Sequence, residues 1–200
     1  MIAFQYNKTS LQHLEKQLKM RVRTLPIIKS KESALRVEVK KCKAEMERHD
    51  EEYAQQLEQY RALFALWNEF DASLVKTGEL LIGQQKVAGV KVPVLENASF
   101  IVSRFSLFNS PKWFADGIEF LKEMAMTAIR RELLERKLRL LEVARKKTTQ
   151  KVNLFEKVQI PGYQDAIRKI KRFMEDEENL SKSSQKILKS LLEQREEAGA

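Results

Sequence analysis

Thr148-Thr149-Gln150-Lys151-Val152-Asn153-Leu154-Phe155-Glu156-Lys157-Val158-Gln159-Ile160-Pro161-Gly162-Tyr163, continuing through Ala166-Ile167-Arg168-Lys169-Ile170 to Glu175-Asp176-Glu177-Glu178-Asn179, reads as a helix with one apolar face broken once by a proline. Its apolar positions fall into two sets, Val152 and Phe155, then Tyr163, Ile167, Ile170 and Met174. Pro161 removes a backbone donor and bends a helix, so two stripes separated by a shift are expected. Such a stripe has to be covered by another apolar surface, and the first third of the chain offers one.

From Leu11 the sequence keeps a seven-residue period: Leu11, Leu18, Leu25, Glu32, Val39, Met46, Tyr53, Tyr60, Trp67 and Leu74 on one line. The second line is Leu14, Arg21, Ile28, Leu35, Cys42, His49, Gln56, Leu63 and Phe70. Fifteen of these nineteen positions are apolar or aromatic, and a spacing of 3.5 sustained this long requires a partner helix and a coiled coil. Thr9 with Gln12 forms a capping box, which predicts a helix over 9–75. A helix of about 65 residues spans roughly 100 Å. Pro26 lies inside the pattern, and because the seam resumes in phase at Ile28, a kink and not an end is predicted there. The polar seam residues Arg21, Glu32, His49 and Gln56 weaken packing locally and fix register or reach solvent.

Between these segments, in a middle region over 76–112, the character changes. Val90, Val92 and Val94 alternate with Lys91 and Pro93, and Phe100-Ile101-Val102 follows a polar link at Glu96-Asn97-Ala98-Ser99, so a β-hairpin is predicted at about 87–106. Pro93 puts its strand at an edge. Ser110-Pro111 then opens the return helix, predicted over 113–196, with Ser as the cap. Trp67, Phe70, Trp113 and Phe114 are expected to pack where the helices leave the hairpin. The fold class is therefore all-α, a long antiparallel two-helix coiled coil with a short β-hairpin in the central connection, built as a single rod-like domain over 1–200.

Composition supports a rod: 32% of residues are charged and only six Gly and four Pro are present to turn the chain. No window holds the ~18 apolar residues of a membrane span, and the start lacks an apolar core of signal-peptide length, so a cytoplasmic chain is expected. Cys42, the single cysteine, cannot form an internal disulfide and occupies a seam position, which predicts a buried thiol. No catalytic, cofactor or metal site is expected. His13 and His49 have no partners at ligand spacing that a helix surface leaves unexplained. Gly78 and Gly83 have the spacing of a phosphate loop, but Gln84 stands where the lysine must be. The net charge of +9 raises nucleic-acid binding, which the mixed signs along both helices argue against.

Read together, Thr149-Gln150, Val152-Asn153, Glu156-Lys157-Val158, Ile160-Pro161 and Ala166-Ile167-Arg168 resemble the C-terminal signature of the D subunit, the central-stalk rotor component of V-type and A-type ATPases. Gly89-Val90-Lys91-Val92-Pro93 resembles the hairpin motif of the same family, and Thr9 to Leu35 its opening. The resemblance implies a non-catalytic shaft that transmits torque between ATP hydrolysis or synthesis and proton or sodium transport, peripheral to the membrane. Implied partners are the A and B subunits of the catalytic ring, the F subunit, and the C subunit (d in eukaryotes) above the membrane ring, with no nucleic acid and no direct membrane insertion. The γ subunit of F-type synthases carries an α/β domain that about 33 middle residues cannot hold. A non-ATPase coiled-coil scaffold or chaperone-like interaction protein is the alternative reading, and it would dimerise alone.

Two sets of residues are expected to meet partners. Lys16 to Lys43 carries ten Lys/Arg against two acids and Ala144 to Lys171 eight against two, a combined +14. By the family resemblance this end enters the A/B ring, and the charge is expected to face acidic loops there, with Lys19, Arg23, Lys146, Lys147 and Lys151 as contacts; a solvated basic face is the alternative. Val90, Val92 and Val94 lie on an edge strand whose backbone groups the F subunit, or the stalk itself, should cover.

Overall fold

Asn7, and not Thr9, starts the first helix. Its Oδ1 accepts a hydrogen bond from the Ser10 amide at 2.7 Å, a cap two residues upstream of the expected one, while Ser10 Oγ accepts one from the Gln5 amide ahead of the helix at 3.3 Å. The computed structural model describes residues 2–59, 61, 67, 69–104 and 111–198. Its elements are α1 (Lys8–Gln59), β1 (Val75–Val87), β2 (Val90–Val102), α2 (Phe114–Asn153), a π-helical segment (Leu154–Gln159) and α3 (Ile160–Ala198). The chain is mostly helical with one two-stranded antiparallel hairpin. Tyr60 and Leu63 of the expected seam, and the expected cap Ser110, lie outside the described residues.

Two boundaries differ from expectation. The first helix does not run to residue 75: Ala72–Leu74 form a 3₁₀ turn and Val75 opens a strand. The hairpin covers Val75–Val102 and not 87–106, so the two expected strands are halves of β2, and their partner is Val75–Val87. Alternation in that partner is interrupted by Gly78 and by Leu80-Leu81-Ile82. Cross-strand pairing makes up the difference. Register slips by one residue in β1 between Thr77 and Leu80, and by one in β2 between Leu81 and Ile82, so the second bulge cancels the first. Ser99 Oγ accepts the Glu79 amide proton at 2.8 Å and donates to the Glu79 carbonyl at 3.1 Å, occupying the backbone groups freed at the first bulge.

The turn is Ala88-Gly89, with φ of 49° and 77°. Positive φ at both central residues matches the strand twist but is costly for alanine. Ala88→Asn is expected to stabilise the hairpin by about 0.5–1 kcal/mol, read as slower hydrogen exchange across β1 and β2. Exchange unchanged or faster would contradict this.

The chain forms two units, Met1–Ser30 with Thr149–Ala200, and Lys31–Thr148. In the first, Leu14 packs against Ala166, Ile167 and Ile170, with Leu11, Leu18, Tyr163 and Met174 around them. Pairing is antiparallel: Glu15 meets Lys171 at 2.9 Å, Arg21 meets Gln159 at 2.7 Å and Lys29 meets Glu156 at 2.7 Å. The shift between the two expected stripes takes the form of the π turn. From Phe155 to Tyr163 is eight residues, which in an α-helix leaves the second about 80° out of phase; absorbing one extra residue in a wide turn returns it to within about 20°. The wider turn also relieves the clash of the Pro161 ring with the carbonyl four residues back. The return segment is therefore two α-helices joined through a π turn, where one helix over 113–196 was expected.

In the second unit Leu35, Val39 and Cys42 of α1 pack on Leu138 and Leu141 of α2, and Val92 of β2 completes the cluster. Pairing is again antiparallel, Lys43 with Glu142, Glu45 with Lys137, Asp50 with Arg131 and Gln56 with Thr127. All five buried residues of α1, Leu14, Ile28, Leu35, Val39 and Cys42, are seam positions. Burial raises the Cys42 thiol pKa, as expected for an inert core cysteine. A second cluster holds Phe70, Phe114 and Ile118 with Trp67, Leu74, Val102 and Trp113, where ring centroids of Phe70 and Phe114 lie 5.1 Å apart. The expected aromatic packing is thus present among the described residues. Gly117 makes it possible, because a Cβ there would lie 3.1 Å from the Trp113 ring.

Candidate functional site

Thirteen-residue strands carry the hairpin from the aromatic cluster, which Val75 and Val102 join, to the Leu35–Leu141 cluster, which Val87, Ala88 and Val90 join. β2 therefore lies along the helix pair of the second unit. Between them runs an open groove of about 520 Å³, with Pro93–Ala98 on one side, Glu45, Arg48 and His49 of α1 below, and Met126, Arg130, Leu133, Leu134 and Lys137 of α2 opposite. A second recess of about 450 Å³ shares Met126 and Arg130 and extends to Phe100 and Lys122. Two of the groove's cations, Lys137 and Arg48, have carboxylate partners. Lys137 reaches Glu45 at 3.5 Å, and Glu52 receives His49 Nδ1 at 2.9 Å and Arg48 Nε at 3.4 Å.

The three hairpin valines have different fates. Val92 is 1% exposed and Val90 is half-buried, both covered by α1 and α2, whereas Val94 is 37% exposed. Further apolar side chains that sequence reading missed are also exposed on the hairpin: Leu80, Leu81 and Ile82, consecutive residues of β1 that alternate between its faces, and Ile101 on β2, the last 60% exposed. Gly83, opposite Val94, leaves room for the Glu96 side chain, whose carboxylate lies where a Cβ would stand. A signal was available in the sequence, namely the Ala88-Gly89 dipeptide flanked by two segments of equal length that each begin and end on valine, Val75 to Val87 and Val90 to Val102. The groove residues Arg130 and Lys137 were also missed, since nothing local distinguishes them from other helix-surface cations.

The five basic candidates are all exposed. Lys19, Arg23 and Lys151 belong to the first unit, and Lys146 and Lys147 to the second. None forms an ion pair with a described residue, while Lys151 Nζ stands 5.9 Å from the Phe155 ring centroid. They are thus free to meet an outside anion. Among the described residues no cluster of three or more His, Cys, Asp or Glu could hold a metal ion, and no helix is long and apolar enough to cross a membrane.

Exposed apolar side chains on the hairpin, a mixed-charge groove and free cations suit other proteins more than a small substrate. Similar proteins agree with that character. The D subunit of the V-type ATP synthase of Chlamydia felis is 30% identical over 190 residues, covering 92% of this chain and 91% of its own length. The protein of the same name from Borreliella burgdorferi is 29% identical over 188 residues, covering 92% and 93%. That from Chlamydia caviae is 28% identical over 200 residues, covering 98% and 93%. The sequence profile of the ATP synthase D-subunit family matches residues 10–190, taking in both helical arms and the hairpin, and the chain belongs to that family.

Proposed function

We propose that this chain is the central shaft of a V/A-type rotary ATPase, a non-catalytic component that carries torque between ATP hydrolysis or synthesis and the movement of protons or sodium ions across a membrane. The observation that carries this reading is the family match over residues 10–190. The antiparallel pairing within each unit supports it, because paired helices resist twisting better than a single one. On this reading the shaft turns inside the ring of A and B subunits, holds the F subunit beside the hairpin, and rests on the C subunit (d in eukaryotes) above the membrane ring, peripheral to the bilayer on its cytoplasmic side.

The F subunit is assigned to the hairpin, whose exposed Leu80, Leu81, Ile82, Val94 and Ile101 leave apolar area in water unless a partner covers it. Co-expression with the proteins encoded beside it tests the assembly: the chain should purify with an A/B ring and a small F-like partner. A chain that dimerises alone and ignores them would be the coiled-coil scaffold of the alternative reading. The exposed cations are assigned to acidic loops of the ring. Attraction between mobile charges centres a shaft without locking its angle, and it weakens as salt shortens the screening length, ~10 Å at 0.1 M. Reversing Lys146, Lys147 and Lys151 to Glu is expected to lower coupled ATPase activity severalfold at low salt and less at high salt. Normal turnover at every salt concentration would remove these residues from the contact.

A further inference from the structure

Both helices of the first unit give up backbone hydrogen bonding at one level. On α1, Pro26 has no amide proton for the carbonyl four residues back. On the returning strand of the pair, Leu154–Gln159 bond in the wide π pattern, the Ile160 amide donating to the Phe155 carbonyl, and Pro161 again lacks a donor. The two places face each other, because Arg21–Gln159 and Lys29–Glu156 bracket Pro26.

Arg21 occupies a seam position where an apolar residue is the rule, and it is only partly exposed. Its Nε, its Nη1 and the face of its guanidinium are engaged. Nε donates to Gln159 Oε1 at 2.7 Å, Nη1 donates to Gln17 Oε1 at 2.6 Å and to the Gln17 carbonyl at 3.2 Å, and the central carbon stands 4.5 Å from the Tyr163 ring centroid. The planar fork thus reaches both ends of the joint between the π turn and α3, which a lysine or leucine could not do.

We propose that Arg21 is a positioning residue that holds 154–159 in the π turn and makes this level a compliant joint, where the helix pair twists and bends while the Tyr163–Ile170 seam stays closed. The turn is dispensable for phase alone. A chain one residue shorter here would keep the same face toward Leu14 in an ordinary α-helix, so the extra residue supplies a wide turn that the seam by itself does not require. The value of compliance to a turning shaft rests on the rotor reading above; the joint itself does not.

Hydrogen exchange on the full chain tests it. Amides of residues 158–163 are expected to exchange about tenfold faster than those of 166–174 or 11–18, where seam packing is complete. Deleting Val158, which is 61% exposed, should remove the contrast and preserve helicity. Arg21→Leu separates the proposal from coiled-coil expectation: an apolar seam residue ordinarily tightens packing, whereas loss of the clamp should speed exchange across 155–163 by about tenfold, with Arg21→Lys between the two. Uniform exchange across the turn in the unaltered chain, or slower exchange in Arg21→Leu, overturns the proposal. A fast turn in a chain that never joins an ATPase leaves the joint standing and removes the rotor reading instead.

Discussion

Leu141→Ala lowers the unfolding free energy of residues 31–148 by about 3–5 kcal/mol, while Leu140→Ala, one residue away, changes it by less than about 0.5 kcal/mol. Leu141 is 0% exposed among Leu35, Val39, Cys42 and Val92, whereas Leu140 is 44% exposed on the outer face of the same helix. Truncating the first removes its transfer free energy and leaves a cavity walled by helices on two sides and the hairpin on the third. Truncating the second removes a side chain already in water. Domains of ordinary size hold about 5–15 kcal/mol in all, so the first change moves the urea midpoint far and the second scarcely at all. Similar midpoints for the two variants would place the core elsewhere.

Val92→Asp is expected to release the hairpin tip from the helices without melting them. A carboxylate at a position 1% exposed costs several kcal/mol if it stays buried unpaired. The tip is held to the helices by Val87, Ala88, Val90 and Val92, a smaller apolar contact than the helix pair makes with itself, so detaching it is the cheaper escape. Val75 and Val102 stay in the aromatic cluster and keep the base of the hairpin in place. Trypsin cleavage after Lys86 or Lys91 should then accelerate by at least about tenfold with far-ultraviolet helicity unchanged. Loss of helicity along with cleavage would show that the hairpin is part of the core and not an appendage. If the tip undocks cleanly, the same variant asks whether a partner needs the hairpin lying on the stalk, because the groove lined by Pro93–Ala98 loses one wall.

How far local pattern could carry the reading is seen element by element. A 3.5-residue period is written within a few turns of chain, and it named Leu14, Ile28, Leu35, Val39 and Cys42 as core before any partner was known. The polar seam positions were equally legible as exceptions, and each has a partner: Glu32 with Arg36 at 2.9 Å and His49 with Glu52 on the same helix, Arg21 on Gln159 and Gln56 with Thr127 across the pair. The stretch from Val152 to Met174 announced a shift between two apolar stripes, and Ile160-Pro161 with its neighbours carried the family.

Where the chain pairs with itself at a distance, sequence alone decided less. The helix cap moved from Thr9 to Asn7 because a cap is chosen by which side chain can reach a free amide, and Asn7 and Ser10 satisfy two at once. The hairpin moved by about a dozen residues because its pairing energy lies between strands: two bulges of opposite sense, with Ser99 filling the first, accommodate Gly78 and Glu96 that break alternation within either strand read singly. Sequence determined that there would be two helical arms, a seam, a hairpin and a shift in phase. Only the tertiary structure decided that Val92 is buried against α1 and α2 while Leu80, Leu81, Ile82 and Ile101 are left exposed, and that the shift is a π turn with Arg21 bonded to Gln159 at its end. Those outcomes depend on contacts between residues some 50 to 140 positions apart, whose geometry no local period encodes.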